Sequence, residues 1–267
     1  MAAGLMAVSA AAAPEMRLLP RWQAHSMVAT LRVDHGPWDR FLQTYVVVGA
    51  DGINRVAYGK VTAEDRQALA AYIKALGAVK VDRLTRDQQL AYWINLYNAV
   101  TVKVVLDHYP VNSIRDINLS KGFFSTGPWG AKLVTVTGEP LSLDEIEHSI
   151  LRPIWRDARI HYALNCASLG CPNLALTAYT ADRLKLMLEV AARSFVNHSR
   201  GVKVTDAGIE VSSIYKWYAD DFGGARDYLL DHLLRYAAPD LKEQIEDSRR
   251  IVDYRYDWRL NDAATVK

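Results

Sequence analysis

The stretch Gln88 to Pro110, QQLAYWINLYNAVTVKVVLDHYP, limits what this chain can fold into more than any other. From Asp87 to His108 it has helical character and is apolar on nearly every face, and a helix of that kind must be buried all round. The rest of the chain therefore has to wrap it. Thr85 opens it with Gln88 three residues on, the spacing of a capping box. Pro110 ends it, because proline lacks the N–H that a continuing helix would use. Two asparagines, Asn95 and Asn98, sit inside it three residues apart and so share a face. A buried amide without partners costs about 1–3 kcal/mol. The pair must therefore either pin a neighbouring backbone or line a cavity and meet a substrate.

Enough apolar residue is available to wrap such a helix. Half of the 267 residues are hydrophobic, so a substantial core needs no disulfide scaffold. The length suits one large domain, or one domain with an attached subdomain. Arg17 to Val48 reads as helical with a break at Gly36-Pro37, and Val46 to Tyr58 as a turn followed by a short strand or hairpin. Thr62 caps a helix to about Leu76, with Glu64 and Asp65 favourably placed in its first turn. The loop from Ile114 to Gly130 carries Gly122, Phe123, Phe124 and Trp129, an aromatic content expected to fold back over core or cleft. Lys132 to Thr137 alternates as a strand turned by Gly138. Ser142 caps a helix with Glu145 at the capping-box position, Thr180 to Val196 is helical, and Gly201 to Val211 forms a hairpin. Helix follows for Asp227 to Tyr236, then a strand with an aromatic face over Ile251 to Leu260. This pattern predicts one α+β domain over residues 17–267, helices packed on a small antiparallel sheet. Residues 1–16 are set apart as an export-signal remnant. They are apolar and rich in small residues, with Val8-Ser9-Ala10 resembling a cleavage site, though the first basic residue is Arg17.

Charge and patterning exclude several function classes. The 32 basic and 30 acidic residues nearly balance, and no basic cluster interleaves with aromatics as a nucleic-acid groove requires. No apolar window after the leader is long enough for a transmembrane segment. A small-molecule or peptide substrate remains the expected partner.

The chemistry concentrates in Asp157 to Leu174, DARIHYALNCASLGCPNL, which holds both cysteines, Cys166 and Cys171. The apolar run Ile160 to Leu164 reads as a strand delivering Cys166 to a rim of small, hydrogen-bonding residues, Asn165, Ser168 and Gly170 among them. Backbone N–H groups there would lower a thiol pKa or form an oxyanion hole. His161 lies five residues before Cys166, an odd offset that puts the two on opposite faces of an extended strand. His148 follows Glu147, and neighbours on a helix diverge, so Glu147 faces another partner such as His161. Cys166 and Cys171 could also pair as a disulfide or redox couple, although their spacing is not C-x-x-C. With His161 and His148 they match no common zinc pattern, so no metal or cofactor is expected.

The segments LAYWINLYNAVTVKVVLDHYP, LSLDEIEHSILRP, ARIHYALNCASLGCPNL and SSIYKWYADDFGG, in that order, make the chain similar to the bacterial and plant family called domain of unknown function 547. The resemblance runs from about Trp22 to Trp258. It implies Trp93, Asn95, Asn98, Glu147, His148, His161, Cys166, Ser168 and Pro172 as the motif positions, and an export signal on bacterial members. Plant members keep the first cysteine and not the second, which favours Cys166 as the working thiol over a Cys166–Cys171 redox pair. The resulting expectation is an exported, periplasmic thiol hydrolase or acyltransferase with a papain-like site layout, acting on a peptide or small thiol peptide such as glutathione. Cys166 attacks a carbonyl, His161 or His148 is the base, and Glu147 orients the imidazole. Trp93, Asn95, Asn98, Asn165 and Ser168 position substrate. The alternatives are a non-catalytic ligand-binding module and a thiol-redox or metal-binding protein.

Overall fold

The computed structural model describes residues 15–120 and 126–265. Residues 1–14 of the expected 1–16 leader, and Gly122, Phe123 and Phe124 of the expected aromatic loop, lie outside the described residues. The architecture is α+β, with small sheets among a majority of helices.

Helix α1 (Gly36–Tyr45) leads into the hairpin β1 (Val46–Val48) and β2 (Asn54–Val56). Helix α2 (Ala63–Gly77) starts where Thr62 accepts from the Asp65 N–H, and packs on α3 (Arg86–His108). In α3 both halves of the Thr85–Gln88 capping box form. The expected all-round burial is present: every residue from Gln89 to Val102 is buried, with Trp93, Ile94 and Leu96 fully enclosed. Each such large apolar side chain contributes about 1.5–3 kcal/mol of transfer free energy.

After α3 comes a second hairpin, β3 (Val134–Val136) and β4 (Glu139–Leu141). Ser142 and Glu145 form the expected capping box, but the helix they open is not a regular α-helix. Glu145–Leu151 is a π-helix that passes into the short α4 (Arg152–Trp155). Wide turns of this type are rare and recur where side chains must be aimed at a site.

The expected strand at Ile160 to Leu164 is instead a single helical turn, α5 (Ile160–Ala163). Asp157 causes it, because its carboxylate accepts from the Arg159 N–H and pairs with the Arg159 guanidinium, which curls the chain. The chain then continues through α6 (Leu184–Val196) to the hairpin β5 (Val202–Thr205) and β6 (Gly208–Ser212). Next come α7 (Ile214–Trp217), α8 (Arg226–Tyr236), α9 (Pro239–Ser248) and β7 (Ile251–Arg255). The expected aromatic strand ends early, at Arg255, and pairs parallel to β6, so this sheet is mixed.

Two hydrophobic cores result. One surrounds α3 and includes Ile160 and Ala163; the other joins α6, α8 and the mixed sheet and includes Tyr162. The four-residue α5 therefore serves both cores, and the residues on either side of it lie at their seam. No helix among the described residues is long and apolar enough to cross a membrane.

Candidate functional site

The cysteine loop is held by amides from the interior. Asn98 donates to the Ala163 carbonyl and accepts from the Asn165 N–H, so α3 grips the chain immediately before Cys166. Asn165 donates to the Pro172 carbonyl and accepts from the Ala167 N–H, cross-linking the two ends of the loop. Asn95 makes the same two-sided clamp on Tyr179, further along the chain. All three amides thus bond protein backbone. Trp93 is fully buried in the core, edge-on to Trp22 and Tyr92.

Ala167, next to Cys166, has a left-handed φ of 58°. A side chain in that region costs about 1–3 kcal/mol and persists only where surrounding bonds enforce it. Here Asn165 holds the Ala167 N–H, and the Asn261 N–H holds its carbonyl. On the far side of the loop, Gly170 donates to the Asp257 carbonyl. A Cβ there would lie 2.7 Å from the Asp257 nitrogen, so only glycine allows the C-terminal segment to approach this closely.

In this loop Cys166 and Cys171 are joined in a disulfide, and no cysteine is free. Cys166 is partly exposed and Cys171 is buried. The two sulfurs differ in their surroundings. Cys171 Sγ accepts from the Cys166 N–H at 2.9 Å and lies 3.1 Å from the Tyr256 hydroxyl and 3.5 Å from Ser168 Oγ. Cys166 Sγ has the same two hydroxyls, at 2.9 and 3.5 Å, but no backbone donor among the described residues. Ser168 donates to Tyr256 across 3.0 Å, which leaves the phenolic proton for a sulfur.

The two histidines lie elsewhere. His161 sits between two carboxylates: Nε2 is 2.6 Å from Asp221 Oδ2 and Nδ1 is 3.5 Å from Glu147 Oε1. Burial alone would lower its pKa, but the bonds to Asp221 and Glu147 outweigh burial and raise it. The raised pKa favours the imidazolium, with one N–H on Asp221 and the other facing Glu147. Arg152 binds Asp221 at 2.6 and 3.2 Å through two nitrogens and faces His148 Nδ1 at 3.2 Å. Two cations, His161 and Arg152, thus balance two anions, Glu147 and Asp221. Burial would raise both carboxylates, yet their cationic neighbours hold each at about 2. Burial lowers the pKa of His148, whose Nε2 lies 3.7 Å from Asp144. Asp144 is pushed up to about 6 by burial and by the nearby Glu147 and Glu145.

The expected contact of Glu147 with His161 is therefore present, whereas neither imidazole reaches Cys166 among the described residues. The Cys–imidazole contact of a papain-like layout is not formed. Tyr218 links the two halves of the site. It stacks on His161 at 4.0 Å and lies under Arg152. No spacing in the sequence singles out Arg152, Tyr218, Asp221 or Tyr256. The first three lie within the segments LSLDEIEHSILRP and SSIYKWYADDFGG, and Tyr256 directly follows β7, in the run expected to be strand. No group of His, Cys, Asp and Glu among the described residues is arranged to hold a metal ion.

A family model described as "Protein of unknown function, DUF547" matches residues 81–196, from the approach to α3 through the cysteine loop to the end of α6. No curated protein and no solved structure matches the chain.

Proposed function

Taking as premise that the chain belongs, through residues 81–196, to the DUF547 family, we propose that it is a thiol–disulfide exchange protein working through Cys166 and Cys171. The observation that carries this proposal is the asymmetry of the pair. Cys166 is reachable from solvent, while Cys171 is buried and alone accepts from a backbone N–H; the Tyr256 phenol reaches both sulfurs. A substrate thiolate attacks Cys166 Sγ and forms a mixed disulfide. The Cys166–Cys171 bond breaks, and its electron pair leaves on Cys171, stabilised by the Cys166 N–H and Tyr256. A second substrate thiolate then attacks the substrate sulfur, releasing a substrate disulfide and the protein dithiol. The reverse sequence with a different disulfide regenerates the starting state, so two electrons and two protons pass between substrates.

Hydrolysis or acyl transfer would need a free Cys166 thiolate beside a base. With Cys166 in a disulfide and both imidazoles engaged away from it, exchange is the chemistry that the contacts favour. Such a pair works in an oxidising compartment, and we place the protein outside the cytosol.

Trapping tests the assignment. Cys171→Ser should accumulate a mixed disulfide on Cys166 with an aromatic disulfide reagent at neutral pH, and Cys166→Ser should react at least about tenfold more slowly, a difference of about 1.4 kcal/mol. Equal rates for the two variants would overturn the polarity. A native disulfide that resists every thiol would leave a structural cross-link, or a binding module without turnover.

A further inference from the structure

A ladder of aromatic rings runs from the surface to the two sulfurs. Trp129 meets Trp258 edge-on at 5.8 Å, Trp258 meets Trp217 at 5.5 Å, and both Trp217 and Trp258 lie close to the Tyr256 ring, at 4.7 and 4.6 Å. The hydroxyl of Tyr256 touches both sulfurs. All four residues keep part of their surface open to solvent, beside a reactive bond. A second feature makes it more than an apolar patch. The indole N–H of Trp217 is shut off from water and has no acceptor among the described residues. A buried donor of this kind carries a desolvation penalty that a bound carbonyl would relieve. The strand leading into the ladder, β7, is the edge of its sheet, with Val252 and Tyr254 exposed.

From these contacts we infer that the ladder is the substrate-binding platform of the exchange site and that its ligand is an extended polypeptide segment with an aromatic residue beside its cysteine. This rests on the exchange proposal and names its substrate class. The aromatic side chain packs against Trp217 and Trp258. On binding, the Trp217 ring turns its N–H, closed to water in the free protein, toward a backbone carbonyl of the segment, and the adjacent cysteine then meets Cys166. Small thiols, which have no ring and no extended backbone, exchange without this assistance. Aromatic contacts are strong enough to select in this way and weak enough to release product.

Binding and chemistry can be tested separately. The unreactive peptides acetyl-Gly-Phe-Ser-Gly-amide and acetyl-Gly-Gly-Ser-Gly-amide are titrated into the oxidised protein by calorimetry. Their cysteine counterparts and dithiothreitol are followed as reductants by stopped flow. The phenylalanine serine peptide should bind about tenfold more tightly than the glycine one, and its cysteine form should exchange faster by a similar factor. Trp258→Leu should bring both ratios close to one. Trp217→Phe, which keeps a ring and removes the N–H, should weaken both serine peptides. Equal binding of the two serine peptides by the wild-type protein overturns the platform, whatever the variants do. Selective binding with no reduction by any thiol overturns the exchange proposal and leaves the platform standing.

Discussion

Replacing Glu147 by glutamine removes one charge from the buried quartet while keeping the shape of the side chain. Glu147 is 6 % exposed, lies against His161, and accepts from Tyr97. Burial opposes its ionisation, but the fields of His148 and His161 and the hydrogen bond from His161 hold its pKa at about 2, against an ordinary 4.5. A carboxylate whose folded pKa is depressed contributes stability that is fully present above the unfolded value and disappears as pH falls through the folded one. The depression corresponds to about 3 kcal/mol at pH 7. At about pH 3, between the two values, the contribution falls to about 1 kcal/mol. Urea denaturation of wild type and Glu147→Gln at about pH 7 and pH 3 should therefore give a stability difference that shrinks by about 2 kcal/mol on acidification. A difference that is the same at both pH values would mean that the substitution acts by disturbing packing and that the charge balance assigned to the quartet is wrong.

Other parts of the site make their own predictions. Asn98→Ala strands the Ala163 carbonyl and the Asn165 N–H, and should cost about 2–4 kcal/mol in urea denaturation while slowing exchange at Cys166. The ¹⁵N shifts of the imidazoles should report His161 more protonated, and His148 less protonated, than a free imidazole at the same pH, because the flanking carboxylates raise the first and burial lowers the second. Raising the pH through the elevated pKa of His161 should lower the denaturation midpoint, since a raised pKa contributes stability only while the proton is bound. Tyr256→Phe removes the phenol that faces the departing Cys171 thiolate, and should slow reduction by dithiothreitol about tenfold or more at neutral pH. An unchanged rate would remove Tyr256 from the mechanism.

The sequence makes legible whatever short-range chemistry decides. The caps at Thr62, Thr85 and Ser142 come from side chains three residues apart, and the burial of α3 from its having no polar face. The pairing of Glu147 with His161 is accessible because consecutive helical residues diverge. Short-range patterns fail where a single side chain overrides them. The apolar run Ile160 to Leu164 looks like a strand, but the Asp157–Arg159 pair turns it into helix. The π-helix at Glu145–Leu151 leaves no composition signal, since its residues are ordinary helix formers. Long-range contacts are beyond reach altogether. Tyr256 lies 90 residues after Cys166, and Asp221 lies 60 after His161. Neither separation has a periodicity to mark it. The choice between a lone thiol and a pair turns on the same problem. The five-residue spacing of the cysteines permits a disulfide without requiring one, and it is the gripping of the loop by Asn98, Asn165 and Asn261 that brings the sulfurs together.

Thiol counting on the native protein tests the exchange proposal most directly. The folded, oxidised chain is titrated for free thiols before and after brief exposure to dithiothreitol without denaturant. The account predicts a change from none to two at a rate well above that of an unassisted alkyl disulfide, with the fold retained. A disulfide that opens only when the protein is unfolded would contradict it.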